Sequence, residues 1–403
     1  MRALLARKDV RLLFAGQTLS MFGDWMMLIV LAIWMKVLTG SNGAAGLIFF
    51  VFALASLLAP IGGLIVDRFA KRPLMIGTHL ALAGVMCLLL FVQDRSGVWL
   101  LYTVCALYGL GGDLFAASRS AMLKAMIPEE LLADANGAYQ SIREGLRIIA
   151  PLAGAGLFAA VGGHAVALVD AGTFVVSAGT LFALRFAEPP VAPKEHHFLR
   201  EVSAGITHIA RTRVLRELTI GLAGALLVAG FSETLIFAIT SNGLHKGPSF
   251  VGVIASFQGI GAIVGGLSAP WLMRRVGDLR LAGIGIALFG LGDCLWLVAR
   301  TPVVLGSTVV SGLGIVWAIV ALATAYQVRS PSHVQGRVSA AANMLFSVPQ
   351  TISIAVGAAL ITVVDYRVEI IAMAVVFGIS AAYLLTRQRD DAAEVEIDAA
   401  LAA

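Results

Sequence analysis

The 403-residue chain is short of charge and of cysteine. Charged residues make up 13% of it, about half of the ~25% usual in soluble domains, while 59% is hydrophobic. A water-soluble domain is excluded, and an integral membrane protein is expected. The three cysteines, Cys87, Cys105 and Cys294, all fall inside apolar runs. They read as buried free thiols rather than as disulfides or a metal site. No metal-ligand cluster, nucleotide-binding loop or nucleophile triad occurs, so an enzyme is not expected. Glycine-rich pieces such as Gly259-Ile260-Gly261 sit within apolar runs, where close helix packing accounts for them. His196 and His197 are adjacent and share no helical face, which reads as a solvated linker. No small-residue cleavage site follows a short apolar core near the start, so no removable signal peptide is expected.

What is present is length. A membrane-spanning helix needs about 20 apolar residues, and twelve runs qualify: 11–37, 43–66, 74–92, 98–118, 136–160, 164–186, 217–240, 249–272, 280–299, 303–326, 338–362 and 367–386. Runs of this length fit helices rather than barrel strands. All Lys and Arg except Lys36, Arg95, Lys246, Arg300 and Arg367 then fall on one side of the bilayer. That asymmetry predicts both termini in the cytoplasm and removes the case for nucleic acid.

The longest polar interruption, 187–216, splits the runs six and six. The expected organisation is a bundle over 1–186, a linker over 187–216, a second bundle over 217–386 and an acidic tail over 387–403. Within the linker, EPPVAPKEHH cannot continue a helix. Phe198, Val202, Ile206 and Ile209 then recur at helical spacing opposite Arg200, Glu201, His208 and Arg211, which predicts an amphipathic helix on the cytoplasmic surface.

Between the second and third runs lies Gly62–Pro73, GGLIVDRFAKRP. One helical turn separates Gly63 from Asp67, so a bare backbone position and a carboxylate share a face. Arg68, Lys71 and Arg72 mark the cytoplasmic side, and on charge alone Asp67 reads equally as a solvated loop acid. The order Gly63-x-x-x-Asp67-Arg68-x-Ala70-Lys71-Arg72 resembles the signature loop of the major facilitator superfamily, with Ala70 where a second glycine is usual. The resemblance implies an all-α membrane protein with twelve transmembrane helices in two six-helix bundles. It further implies that Asp67 approaches Gly336–Val338 and, with Gly63, Arg68, Lys71 and Arg72, forms an inner gate. Asp113 and Arg119, beyond Gly109, Gly111 and Gly112, are candidates for the same gate, Arg119 as a second contact for Asp67.

Ionisable residues inside spans are costly and are functional candidates by default. Asp24 lies mid-span in Met21-Phe22-Gly23-Asp24-Trp25-Met26-Met27. It reads either as a proton or substrate carboxylate or as a hydrogen-bonded structural acid. Met21, Trp25 and Met26 read as an adaptable apolar pocket or as ordinary packing. Glu233, measured from Arg216 as Asp24 is from Arg11, lies about 6 Å farther along its span. It reads as a second proton carboxylate or as a residue of the outer mouth. Arg143 and Arg147 share one helical face with Glu144 a turn away, either as a coupling cluster or as an ion pair at a helix end. Asp170 and Asp293 read as structural. The segment around Arg143 resembles the fifth-span motif of proton-coupled drug exporters at Gly137, Pro151 and Gly154, but not at Leu146, Ala150 and Ala155.

Ala133–Gly137, Arg200–Leu218 and Val334–Val338 are similar to the drug-exporter branch that includes macrolide efflux proteins and the enterobactin exporter. This implies a secondary transporter in a bacterial inner membrane, exporting amphipathic small molecules against protons by alternating access. Protons and the lipid bilayer are its expected partners, a proton gradient replaces any cofactor, and a monomer is expected. The alternatives are a dedicated exporter of a metabolite, siderophore or lysolipid, and a transport-inactive receptor or scaffold.

Overall fold

The computed structural model describes residues 7–58, 66, 68–127, 129–184, 198–330 and 332–387. Among these the chain is helical throughout, without strands. In order it runs α1 (Lys8–Thr39), α2 (Asn42–Ser56), α3 (Lys71–Cys87), α4 (Val98–Met126), α5 (Glu129–Phe182), α6 (Phe198–Arg211), α7 (Arg213–Ala229), α8 (Ser232–Ala238), α9 (Phe250–Val276), α10 (Asp278–Cys294), α11 (Thr301–Val328), α12 (Ser332–Leu360) and α13 (Tyr366–Thr386). Ten helical segments of the described residues are long and apolar enough to cross a membrane. The chain is a multi-pass membrane protein.

The helix ends follow from local chemistry. α1 stops at Gly40, whose φ of 72° suits a residue without a side chain. Its carbonyl accepts from Lys36 Nζ at 2.7 Å. Ser41 then caps α2, accepting from the Ala44 amide at 3.2 Å. Asp365 caps α13 in the same way through the Arg367 amide at 2.9 Å.

The runs 136–160 and 164–186 are the two arms of α5, separate helices that part at Gly162, with φ 80° and ψ 174°. A side chain is disfavoured in that conformation, so the glycine supplies the break. The run 217–240 is instead divided into α7 and α8 at Gly230 and Phe231. Glycine is a weak helix former, and the Gly230 amide freed there donates to Ser353 Oγ at 3.0 Å.

The described residues pack into two compact units, one within Met1–His196, Glu233–Ser256 and Ile354–Val364, the other within His197–Ser232, Phe257–Ser353 and Asp365–Ala403. The first therefore takes in short pieces from the second half of the sequence, and small residues seat them. A Cβ on Gly43 would lie 2.5 Å from the Ala358 carbonyl, and one on Gly252 would lie 2.5 Å from Ala155 Cβ. Glycine at such points lets helices approach to backbone contact. Met27, Ile33, Met86, Val104, Phe174 and Phe237 fill its core.

In the second unit, α10 and α11 meet backbone to backbone, where a Cβ on Gly285 would lie 2.5 Å from the Gly314 carbonyl. The amphipathic helix α6 belongs to this unit, and protein covers part of its apolar side, with Ile206 left 41% exposed. Val202, Gly205 and Ile209 are buried. A Cβ on Gly205 would fall 2.2 Å from the Arg337 carbonyl, and His208 Nε2 lies 3.2 Å from the Arg329 carbonyl. Arg329 in turn pairs with Asp278 at the start of α10.

Candidate functional site

Asp24 sits mid-way along α1 with its Oδ1 shut off from solvent and without a hydrogen-bond partner. The Tyr108 hydroxyl, from α4, hydrogen-bonds the carboxyl group. On the adjacent face of α1, Gly23 opens a gap that the second arm of α5 fills. A Cβ there would lie 2.1 Å from Asp170 Oδ1 and 2.6 Å from Thr173 Oγ1. Asp170 is fully buried. Thr173 Oγ1 lies 2.7 Å from the Asp170 carbonyl and 3.2 Å from its Oδ1, while Asp170 Oδ2 has no partner. The carboxylates of Asp24 and Asp170 are close enough for their charges to act on one another.

Three further candidates meet beside Asp24. Trp25 is half-buried, and the Arg147 guanidinium lies over its ring at 5.8 Å, within the range of a cation–π contact. The charge of Arg147 also acts on Glu233, which stands in the first turn of α8. Acid, aromatic and guanidinium thus come from α1, α5 and α8 to one neighbourhood of the first unit. Both methionines are buried: Met21 is 6% and Met26 1% exposed. Met26 packs on α5, where a Cβ on Gly154 would lie 2.6 Å from Met26 Cγ.

A second group surrounds Arg119. Its guanidinium stacks 3.5 Å from the centre of the Tyr139 ring, and the charge of exposed Arg143 reaches both residues. Glu144 lies in α5, and its side chain falls outside the described residues. Asp113 takes a hydrogen bond from Ser56, and its Oδ2 has none.

Of the charged turn, Gly63 and Asp67 lie outside the described residues. Arg68 is exposed. Lys71 Nζ donates to the carbonyls of Val66 and Phe69. Arg72 donates through Nε to the Leu181 carbonyl at 2.9 Å and through a terminal nitrogen to the Phe182 carbonyl at 2.6 Å. A cation on the free carbonyls of a helix C-terminus complements its dipole, so Arg72 ties the start of α3 to the end of α5.

Asp170, Tyr108 and Thr173 were not legible as site residues. Asp170 stands in an apolar run, and only its contact with Gly23 distinguishes it. In the second unit Asp293 is differently placed, with Ser232 Oγ donating to its Oδ2 at 2.9 Å and a further hydrogen bond from Ser311.

Helices of membrane-spanning length with ionisable residues buried among them define a polytopic membrane protein. The Major Facilitator Superfamily model matches residues 13–241 and 222–401, and the chain belongs to that family, whose members are transporters and not enzymes. An uncharacterized MFS-type transporter, YfiS of Bacillus subtilis, is 27% identical over 64% of this chain and 63% of its own length. The chain thus spans under two thirds of that relative. Macrolide efflux protein A of Streptococcus pyogenes is 23% identical over 72% of each chain. Among solved structures, a bacterial homologue of the iron transporter ferroportin in an inward-facing state superposes with a TM-score of 0.72. It is 15% identical, with 95% of this chain and 98% of that chain covered. At that identity the likeness concerns the fold alone.

Proposed function

We propose that this protein is a secondary transporter that exports amphipathic small molecules in exchange for protons. Its chain forms twelve transmembrane helices in two six-helix bundles of a bacterial inner membrane, working as a monomer by alternating access. The bundles are 1–186 and 217–386, joined by the linker 187–216, with that linker, the tail 387–403 and both termini on the cytoplasmic side. The observation that carries the reading is the meeting of Asp24, Trp25, Arg147 and Glu233 in one neighbourhood. An apolar, aromatic surface beside a carboxylate and a guanidinium suits a substrate with apolar bulk and a polar or charged end.

In this reading Asp24 carries the coupling proton, with Glu233 and the Arg143–Glu144–Arg147 segment tuning it. Trp25 contacts substrate, with Met21 and Met26 completing the apolar surroundings of the pocket. The turn Gly63, Asp67, Arg68, Lys71 and Arg72 closes the inner side, assisted by Asp113 and Arg119. The similarity to a macrolide efflux protein favours drug-like cargo over a metabolite.

The test is a panel of macrolides and cationic dyes offered to proteoliposomes with and without an imposed pH gradient. Gradient-driven accumulation by the native protein, abolished by Asp24→Asn at unchanged reconstitution, is expected. Equal pH-driven movement by the Asp24→Asn variant would overturn the coupling role of Asp24.

A further inference from the structure

Asp170 reads from the sequence as a structural acid, yet its surroundings match those of Asp24. Each carboxyl group has one oxygen held by a hydroxyl, Tyr108 for Asp24 and Thr173 for Asp170. Each has a second oxygen buried without a partner. The two approach because residue 23 is glycine: the space a Cβ would occupy is filled by Asp170 Oδ1. We propose that Asp24 and Asp170 form a single two-carboxylate site that holds one exchangeable proton, with Gly23 as the positioning residue that admits Asp170 to α1. The proposal rests on the reading of Asp24 as the coupling residue and supplies its partner.

The physical argument starts from charge. Two neighbouring carboxylates withdrawn from water repel, and a single proton on one of them removes most of that cost. That proton also serves the unpartnered oxygens, since a protonated carboxyl donates where a carboxylate can only accept. Loading moves one proton from water to the pair, and unloading returns it, with no other bond made or broken.

The groups around the pair are consistent with this task. Tyr108 on α4 is buried and lies within electrostatic reach of both carboxylates and of Cys105. Tyr139 on the first arm of α5 lies within reach of Asp24. Arg147 lies over the neighbouring Trp25 ring, and its charge acts on Glu233. From α3, His79 stacks on Phe115 at 3.8 Å and tilts against Phe174, one turn from Asp170. Among these groups, the charge of Asp24 is the one that acts on Asp170.

A shared proton has a signature that two independent acids lack. A lone carboxyl withdrawn from water still favours its protonated form, so removing either partner leaves the proton on the survivor. The test is infrared spectroscopy of the full-length protein in lipid nanodiscs, in heavy water at neutral pH, following the carbonyl stretch of protonated carboxyl groups. The pair should give one band in the native protein, Asp24→Asn and Asp170→Asn should each move that band without lowering its area, and only the double variant should delete it. Different bands lost in the two variants, additive in the double variant, or a spectrum untouched by Asp170→Asn would overturn the proposal. Should Asp170→Asn fail to fold, Thr173→Val keeps both carboxyls but removes the hydroxyl beside Asp170 Oδ1. It should shift the same band that Asp24→Asn moves, and an unshifted band would count against the pair. No substrate enters the measurement. Proteoliposomes without proton-driven transport but with the shared band intact would therefore sink the export reading alone. Proton-driven transport with additive bands would sink the pair alone.

Discussion

Gly46 of α2 and Thr234 of α8 stand in direct contact: a Cβ built at 46 would lie 2.1 Å from Thr234 Oγ1 and 2.9 Å from its Cβ. Thr234 is fully buried, so the hydroxyl cannot turn aside into solvent. Gly46→Ala should cost about 1–3 kcal/mol through overpacking. Thr234→Ala, by removing the nearer atom, should recover part of that loss. Thermal unfolding of the single and double variants in detergent checks it, and a strictly additive double variant would show that the two residues do not meet.

Gly154 and Met26 give the opposite expectation. A Cβ at 154 would meet the Met26 carbonyl at 2.7 Å as well as its side chain. Gly154→Ala should therefore destabilise α5 against α1, and Met26→Ala should not rescue it, because backbone cannot be trimmed. A double-mutant cycle read by melting temperature distinguishes this from a side-chain clash, which would show rescue.

Arg72 holds two carbonyls at the end of α5 through a geometry only a guanidinium offers. Arg72→Gln should lose on the order of 1–3 kcal/mol, and Arg72→Lys should recover little, since an ammonium lacks the planar fork. Proteolysis and thermal denaturation of the three proteins would measure it. Full stability in Arg72→Lys would mean that charge alone suffices.

Gly205 is where α6 rests on the backbone of Arg337. Gly205→Val should lift α6 from α12 and raise amide hydrogen exchange across Phe198–Arg211, leaving exchange in α1 unchanged. Exchange that stayed at the native level would show that the contact is not what holds α6.

The sequence legibly carried the class of the protein and much of its length. Run lengths marked the membrane-spanning helices apart from the division of one run into α7 and α8, and the helical spacing of Val202, Ile206 and Ile209 marked α6. What covers α6 was not legible, because an apolar helical face has the same pattern whether lipid or protein lies against it. The break at Gly230 was equally hidden: glycines are frequent inside these runs, and only the Ser353 hydroxyl makes this one the place where a helix can part. Met26 and Trp25 are near neighbours in sequence, yet one is buried against Gly154 and the other lies under Arg147. No one-dimensional pattern separates them, since the rotation of α1 is set by the helices around it.

By itself the sequence determined that the chain crosses a membrane many times and that Asp24 is buried at a cost. Burying about 20 apolar residues per span and one charge within them leaves no other reading. Only the tertiary structure decided which residues face Asp24. Asp170 is 146 positions away along the chain, and a missing side chain at Gly23 is what brings its carboxylate to α1. Such proximity depends on how two helices pack, and packing is a property of both surfaces together rather than of either run of residues.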